Sequence, residues 1–217
     1  MLVVGAVGFV MQRFFLRRFG SDPLAQMMMT MGFALLFRDA ALMIWGGDPF
    51  TLQYPAPLRG SIEVGEVVFP LYRLFVVVVA ALVGVALWAV NEKTLIGARL
   101  RATVDDPEMA SATGINVARL SGLVFAVGAA LAAFGGVMGG PILGGYAGID
   151  FDLLPLAFVV VIIGGMGSLK GALVGSIVVG MIDNFGKALV PELSYFTLFA
   201  PMVAMLAIKP TGLYGRA

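Results

Sequence analysis

The sequence predicts an all-α fold, a polytopic integral membrane helical bundle, and two observations support this prediction. Of its 217 residues, 60% are hydrophobic and only 12% are charged, with a mean hydropathy of +0.99. A soluble domain of this length could not cover so much apolar surface, which argues against a soluble enzyme. The apolar residues also form long runs, and several reach the roughly 20 residues that a membrane-crossing helix needs.

Three apolar runs are long enough to predict transmembrane helices, at residues 24–45, 71–90 and 120–143. Ser21 and Asp22 before Pro23 predict the start of the first helix, because short polar side chains accept orphan backbone N–H groups and proline tolerates the first helical position. Shorter runs follow at 153–163, 171–182 and 195–208. The first two of these are too short to cross comfortably, which predicts tilted, broken or buried helices.

The first dozen residues predict the exit half of a transmembrane helix. Met1 to Gln12 is apolar from its start and continues into Arg13, Arg17 and Arg18. At a rise of ~1.5 Å per residue this segment covers only part of a hydrocarbon core about 30 Å thick. We therefore expect residues 1–217 to form a single transmembrane domain that is the C-terminal portion of a longer protein.

Basic residues predict the orientation of the chain, because cytoplasmic loops carry an excess of Lys and Arg. The segments 13–18 and 91–119 are rich in basic residues, whereas the loop 46–70 is sparse in them. Lys170 lies in a later link, and Lys209 and Arg216 lie in the tail. The pattern predicts a multi-pass membrane protein with segment 91–119 and the C-terminus in the cytoplasm, and loop 46–70 outside.

The polar segment 91–119 stands between two apolar runs and reads NEKTLIGARLRATVDDPEMASATGINVAR. In it, Asp105 and Asp106 precede Pro107, and the run that follows ends at Gly114, which predicts one short helix with an N-cap and a glycine stop. A helix of about two turns is marginal in water, so it needs a surface to dock against. The residues alone leave a solvated connecting loop and a docking helix equally open.

A glycine-rich link follows the run 153–163 and contains Gly164, Gly165, Gly167 and Ser168. It lacks the Gly-Lys-Ser/Thr sequence of a Walker A loop, so any nucleotide would bind to a partner. Two interpretations stay open. The link lies on a translocation path built from broken helices, or it is a tight turn that packs helices at the inner surface.

Small residues at four-residue spacing predict close packing of helices in lipid. One such stripe consists of Gly128, Ala132, Gly136 and Gly140. Gly171 and Gly175 form a second, shorter one.

The chain contains no cysteine and no histidine, which excludes disulfides, thiolate or imidazole metal sites and histidine-based catalytic triads. The net charge of +1 indicates no nucleic-acid partner.

Arg38 and Asp39 lie within an apolar run, where adjacent residues face different directions on a helix and therefore have different partners. For this pair we favour a structural or vestibule role over direct substrate binding. No catalytic or metal-binding residue is predicted.

Four blocks follow one another along the chain: RATVDDPEMASATGIN, GLVFAVGAALAAFGGVMGGPI, FVVVIIGGMGSLKGALVGSIVVG and KPTGLYGR. In this order they resemble the permease subunits of branched-chain amino acid ABC importers, and the resemblance covers essentially the whole chain. Members of that family normally begin with further spans, so the resemblance implies that the chain is the C-terminal portion of a permease.

The resemblance implies that the short helix is the element that couples the permease to a cytoplasmic ATPase. The coupling residues would be Asp105, Asp106, Glu108, Ala110, Gly114, Ile115 and Asn116. The segment is similar to the EAA loop of ABC importers in Glu108, Ala110 and Gly114. Met109 departs from the loop, which usually has its first alanine at that position.

The resemblance further implies a permease of the bacterial inner membrane that carries branched-chain amino acids and performs no bond chemistry. Its partners would be ABC ATPase subunits, a second permease subunit, a periplasmic or lipid-anchored solute-binding protein and membrane lipid. The chain itself would bind no cofactor, since the partner subunits hydrolyse ATP. Alternatives are a permease for urea, short amides or another small solute, an ion-coupled secondary transporter using Arg38, Asp39 and Asp183, and a non-transporting scaffold.

Overall fold

A computed structural model describes residues 1–19, 22–64 and 67–215 of the chain. The helices are α1 Leu2–Val10, α2 Pro23–Trp45, α3 Leu71–Lys93, α4 Leu95–Asp105, α5 Pro107–Ala112, α6 Val117–Leu143, α7 Ile149–Gly164, α8 Leu169–Leu189 and α9 Ser194–Ile208. A π-helical turn, Met11–Phe15, and a 3-10 turn, Leu16–Phe19, continue α1. The strands are β1 Ser61–Val64 and β2 Val67–Pro70. The residues group into two compact units, one of Met1–Leu82 with Lys93–Gly148 and the other of Val83–Glu92 with Ile149–Ala217.

Four helices within the described ranges are long and apolar enough to cross a membrane: Leu24–Trp45, Leu71–Lys93, Val117–Leu143 and Leu169–Leu189. The first three confirm the predicted spans. At the start of α2, the Asp22 carboxylate accepts hydrogen bonds from the backbone N–H groups of Leu24 (3.0 Å) and Ala25 (3.4 Å), as a helix cap does. Ser21, predicted beside it, lies outside the described residues.

The fourth span corrects the prediction that the run 171–182 is too short to cross. The helix α8 continues through Leu189 and has 21 residues. Beyond position 182 the helix carries an ion pair one helical turn apart, in which the Lys187 ammonium donates to the Asp183 carboxylate at 2.7 Å and adds modestly to helix stability. The preceding helix, α7, has 16 residues and remains shorter than the roughly 20 that a perpendicular span needs.

Few apolar side chains are buried in the described part of the chain. They are Leu16, Tyr72, Ala110, Val159, Ile163 and Val179. Large apolar side chains elsewhere are exposed, including Leu2 and Met43 at 91% each. Lipid tails cover such side chains as well as a protein interior would, so this exposure fits the predicted membrane bundle.

In the first unit, α1 packs against α6 through small residues. A Cβ atom placed on Gly8 would lie 2.7 Å from the Cβ of Ala129, and one on Gly5 would lie 3.2 Å from the carbonyl oxygen of Ala126. On the α6 side, Gly122 faces the ring of Phe9. The two backbones therefore approach closely, as helices in lipid do when their contact faces carry small residues.

The predicted stripe on α6 does not make this contact. A Cβ on Gly128 or Gly136 would meet no described atom within 4 Å, whereas Gly140 faces Leu52. The prediction of a packing stripe is therefore wrong for Gly128 and Gly136 with respect to this chain's own helices. The face of α6 that holds α1 is the neighbouring one, where alanines do the packing.

The loop between α2 and α3 contains a β-hairpin, which the all-α prediction did not include. β1 pairs antiparallel with β2, with Ile62 opposite Phe69. The β-branched residues of SIEVGEVVFP were the available signal. The same loop joins the end of α6, because Phe50 and Gly145 exchange two backbone hydrogen bonds of 2.8 Å.

In the second unit, α7, α8 and α9 pack around Val159, Ile163 and Val179. The backbones of α7 and α8 meet at Gly164 and Gly171, where a Cβ on either residue would collide with the other's carbonyl group. Of the predicted small-residue pairs, Gly171 and Gly175 therefore do pack against a helix of this chain.

We predict that Gly171→Ala lowers the thermal stability of the purified protein in detergent, because the added methyl group forces α7 and α8 apart at a cost of about 1–3 kcal/mol. Gly180→Ala is the matched control, since Gly180 lies on the same helix with no described atom within 4 Å of its Cβ position. Fluorescence-monitored thermal unfolding measures both variants. Equal midpoints for the two would contradict the close contact.

Candidate functional site

The polar segment 91–119 folds as two helices that turn from the end of α3 to the start of α6. Thr94 ends α3 and begins α4 in an extended conformation, and its hydroxyl accepts a hydrogen bond from the backbone N–H of Gly97 at 3.2 Å. The helix α4 was not predicted from the sequence. The available signal was Thr94 as an N-cap directly before the apolar pair Leu95 and Ile96.

The short helix predicted after Asp106 is present as α5. Asp106 ends α4 and caps α5, with its Oδ1 accepting from the backbone N–H groups of Glu108 (3.0 Å) and Met109 (2.9 Å). Pro107 occupies the first helical position, where its missing N–H costs nothing. Asp105, the other residue of the predicted pair, is the last residue of α4.

A tight turn ends α5 and leads into α6. The carbonyl of Ala110 accepts from the Thr113 hydroxyl at 2.8 Å and from the Ile115 backbone N–H at 3.1 Å. Gly114 has a φ of +88°, which favours glycine and explains the stop at this position. Asn116 then caps α6 by accepting from the Arg119 backbone N–H at 2.9 Å.

The structure thus brings six of the seven predicted coupling residues into one cap, helix and turn. They are Asp106, Glu108, Ala110, Gly114, Ile115 and Asn116. Five of them cap a helix, form the turn or are buried against the protein. The exception is Glu108, whose side chain is exposed in the first turn of α5. Negative charge at that position also interacts favourably with the positive end of the helix dipole.

Met109 and Ala110 differ sharply in burial, which explains the departure from the EAA pattern. Ala110 is 4% exposed, whereas Met109 is 62% exposed. A larger side chain is therefore tolerated at position 109 and not at position 110. Together with Val104, which is 61% exposed, Met109 gives the outer side of α4 and α5 an apolar surface.

An open cavity of about 540 Å³ lies beside the turn between α5 and α6. Its lining includes Gly114, Asn116 and the two basic side chains Arg99 and Arg119. The segment therefore presents an acidic helix start, an exposed apolar side chain and a basic groove. Methionine and arginine, two of the residue types present here, are enriched in surfaces that bind another protein.

The predicted glycine-rich link forms the turn between α7 and α8. Gly165 and Gly167 have φ values of +98° and +77°, and the Ser168 hydroxyl caps α8 by accepting from the Gly171 backbone N–H at 3.0 Å. Together with the close contact between Gly164 and Gly171, this geometry supports the interpretation that the link packs helices in a tight turn. The translocation path stays a prediction for these four residues.

The C-terminal tail closes the same turn. The backbone N–H groups of Leu213 and Tyr214 donate to the carbonyls of Ile163 (2.9 Å) and Gly164 (3.0 Å), which satisfies acceptors at the end of α7. The Lys170 ammonium also contacts the Glu92 carboxylate at 2.6 Å, which joins the start of α8 to the end of α3. Neither contact was predicted from the sequence, because both join residues that are distant in the chain.

Arg38 and Asp39 face different surroundings, as the sequence predicted for neighbours on a helix. Arg38 is half-buried, and its guanidinium would lie 3.7 Å from a Cβ on Gly148. Asp39 is exposed. Across the described residues, no three His, Cys, Asp or Glu side chains come together as a metal site would require.

We predict that Asp106→Ala loosens α5 without unfolding the protein, because loss of the N-cap costs about 1 kcal/mol. Amide hydrogen exchange at Glu108 and Met109 should accelerate by roughly fivefold, as expected for that free energy. Asp106→Asn is the control, since an asparagine oxygen also caps helices. Acceleration of the same size in both variants would show that charge, and not the cap, holds the helix.

Comparison with known proteins shows which family the sequence of this chain matches. The family described as branched-chain amino acid transport system, permease component, matches residues 1–206. The chain is 28% identical to the high-affinity branched-chain amino acid transport permease BraD of Pseudomonas aeruginosa, over 99% of this chain and 72% of that protein. No solved structure matches the chain significantly.

Two further relatives match shorter parts. The chain is 36% identical to the high-affinity branched-chain amino acid transport permease LivH of Escherichia coli K12, over 56% of this chain and 40% of that protein. It is 28% identical to the ribose import permease RbsC of Haemophilus influenzae, over 79% of this chain and 54% of that protein. The match over residues 1–206, with the apolar helices, shows that this chain is a multi-pass membrane protein that belongs to the family of branched-chain amino acid transport permeases.

Proposed function

We propose that this chain is a permease subunit of an ATP-binding-cassette importer and that segment 91–119 couples it to a cytoplasmic ATPase. The observation that carries the proposal is the capped helix α5, which presents Glu108 and Met109 to the outside while Ala110 holds it against the protein. Family membership supports the same role, since this family consists of transport permeases. The chain then performs transport and no bond chemistry.

The coupling mechanism follows from how α5 is attached. The helix packs against α4 and is joined to α6 by a turn that is itself hydrogen-bonded. Because no long flexible linker separates these elements, a displacement of α5 moves both α4 and α6. ATP binding shifts the permease between its states only if the docked ATPase binds α5 differently in each of them.

The proposed assembly contains ABC ATPase subunits, a second permease subunit and a periplasmic or lipid-anchored solute-binding protein. The chain carries no Walker A sequence, which supports an ATP-hydrolysing partner and no cofactor bound by this subunit. The basic residues of segment 91–119 support its placement, and that of the C-terminus, in the cytoplasm of a bacterium. We further propose that residues 1–217 belong to one transmembrane permease domain.

Branched-chain amino acids are the proposed solutes. Two of the similar permeases carry that substrate class in their names, and one of these aligns with 99% of this chain. The ribose permease is a second similar protein, so a small sugar is the competing solute. Among the earlier alternatives, a secondary transporter is less well supported, because Asp183 is held in an ion pair with Lys187.

We predict that Glu108→Arg leaves the protein in the membrane but uncouples ATP hydrolysis from uptake. The substitution reverses the charge that the exposed start of α5 presents to the ATPase, so uptake per ATP hydrolysed should fall while ATP hydrolysis continues. The assembly is reconstituted into liposomes, and solute uptake and phosphate release are measured together.

Glu192→Arg is the matched control for that experiment, since Glu192 is an exposed glutamate outside segment 91–119. This control variant should show the same solute uptake per ATP hydrolysed as the unaltered protein. Normal coupling in Glu108→Arg would reject the role of α5, and uptake that persists without the ATPase would reject ABC import altogether.

The solute is tested by competition in the same liposomes. We expect unlabelled leucine, isoleucine or valine to suppress uptake of labelled leucine, because isoleucine is an isomer of leucine, valine is one methylene smaller, and an apolar pocket discriminates only modestly at that level. Uptake of labelled ribose or urea in place of leucine would reassign the solute and leave the coupling proposal intact.

A further inference from the structure

A basic pocket of about 230 Å³ lies apart from α5, between the turns that follow α1, the start of α2 and the start of α6. All of these elements belong to the first compact unit. The polar lining consists of Arg13, Arg17, Arg119, Gln12, Gln26 and Ser121. Among the residues that the structure describes, no acidic side chain lines the pocket, so its lining carries three positive charges.

The three arginines stand where the apolar helices end. Residues 2–10 are apolar up to the turn that carries Arg13 and Arg17, and α6 becomes apolar directly after Arg119. In a membrane protein this boundary is the level at which spans leave the hydrocarbon, and the phosphate groups of lipids lie there. The pocket therefore opens at the depth of lipid headgroups.

Throughout the described ranges, none of the three arginine side chains forms a hydrogen bond or an ion pair. Other cations of the chain do have such partners. Lys170 pairs with Glu92 and Lys187 pairs with Asp183, each within 2.7 Å. Three like charges around one pocket repel each other, and an anion between them would remove that repulsion.

Apolar side chains belong to the pocket lining and also follow it in sequence. Leu16 is 5% exposed and forms part of the lining together with Phe9. Val10 and Phe14, on the same helical stretch as Arg13, are 47% and 63% exposed. A ligand with a phosphate and attached hydrocarbon chains would contact both the arginines and the apolar side chains, whereas a free phosphate would contact only the arginines.

We propose that this pocket binds the phosphate of an anionic phospholipid, with its acyl chains along the exposed side chains of Val10 and Phe14. Guanidinium groups suit this ligand because their planar fork donates two parallel hydrogen bonds to phosphate oxygens. The neutral side chains Gln12 and Ser121 are available to donate to the headgroup. This binding site is independent of the identity of the transported solute.

The proposal is tested with the full chain in nanodiscs of phosphatidylcholine that contain a minor fraction of phosphatidylglycerol. After extraction into detergent, native mass spectrometry counts the lipids that stay bound. We expect one phosphatidylglycerol to be retained in preference to phosphatidylcholine. Arg17→Gln should weaken its retention by about fivefold, since each arginine near an anionic lipid contributes about 1 kcal/mol.

Arg18→Gln is the matched control, because Arg18 is exposed, adjacent in sequence and absent from the lining of the pocket. It should retain phosphatidylglycerol as the unaltered protein does. Arg17→Lys keeps the charge without the planar fork and should give an intermediate loss, which also covers the case in which the glutamine variant fails to fold.

Equal losses in Arg17→Gln and Arg18→Gln would overturn the proposal, because they would show unspecific attraction to a basic surface. Absence of any preference for phosphatidylglycerol would overturn it as well. Inorganic phosphate is added in a separate arm. If it displaces the lipid and binds to the lipid-free protein with similar strength, the pocket is a free-phosphate site and the lipid assignment is wrong.

Discussion

Direct contact between helix backbones at small residues is the interaction on which each unit of this protein depends. Lipid tails are as apolar as leucine, so helices in a bilayer gain little by burying apolar side chains and associate through close packing instead. Gly164 and Gly171 bring α7 and α8 together, and Gly8 meets Ala129 between α1 and α6. The large apolar side chains are thereby left to face outward.

The close contact of α7 and α8 also determines the turn that joins them. Two glycines with positive φ reverse the chain within a few residues, and Ser168 starts the next helix immediately. The carbonyls of the buried residues Ile163 and Gly164 then need donors, since buried backbone groups that lack a hydrogen bond are costly. The tail provides them through Leu213 and Tyr214, so the last block of the sequence completes the packing of a turn some 50 residues earlier.

Short polar side chains define the segment that we assign to coupling. Thr94, Asp106 and Asn116 each start a helix by accepting a backbone hydrogen bond, so that three helices follow one another with almost no intervening loop. A two-turn helix alone is unstable, and α5 is kept in place by its cap and by packing against α4. Arg119 lines both the groove beside α5 and the basic pocket, so one charge is shared by the two surfaces.

The sequence by itself determined the membrane bundle, three of the spans, the cap at Asp106 and the stop at Gly114, because hydrophobic run length and capping chemistry act locally. It underestimated the length of α8, because the helix continues past the apolar run into a segment that includes the polar residues Asp183 and Lys187. The spacing of small residues also predicted that Gly128 and Gly136 pack against another helix of this chain, which they do not. Spacing alone does not determine which face of α6 another helix covers. The tertiary structure decided that face, the tail contacts, the burial of Ala110 beside the exposed Met109, and the meeting of three arginines at one pocket. Each of these depends on residues that are distant in sequence, or on which side of a helix its neighbours lie, and neither is encoded in a local pattern.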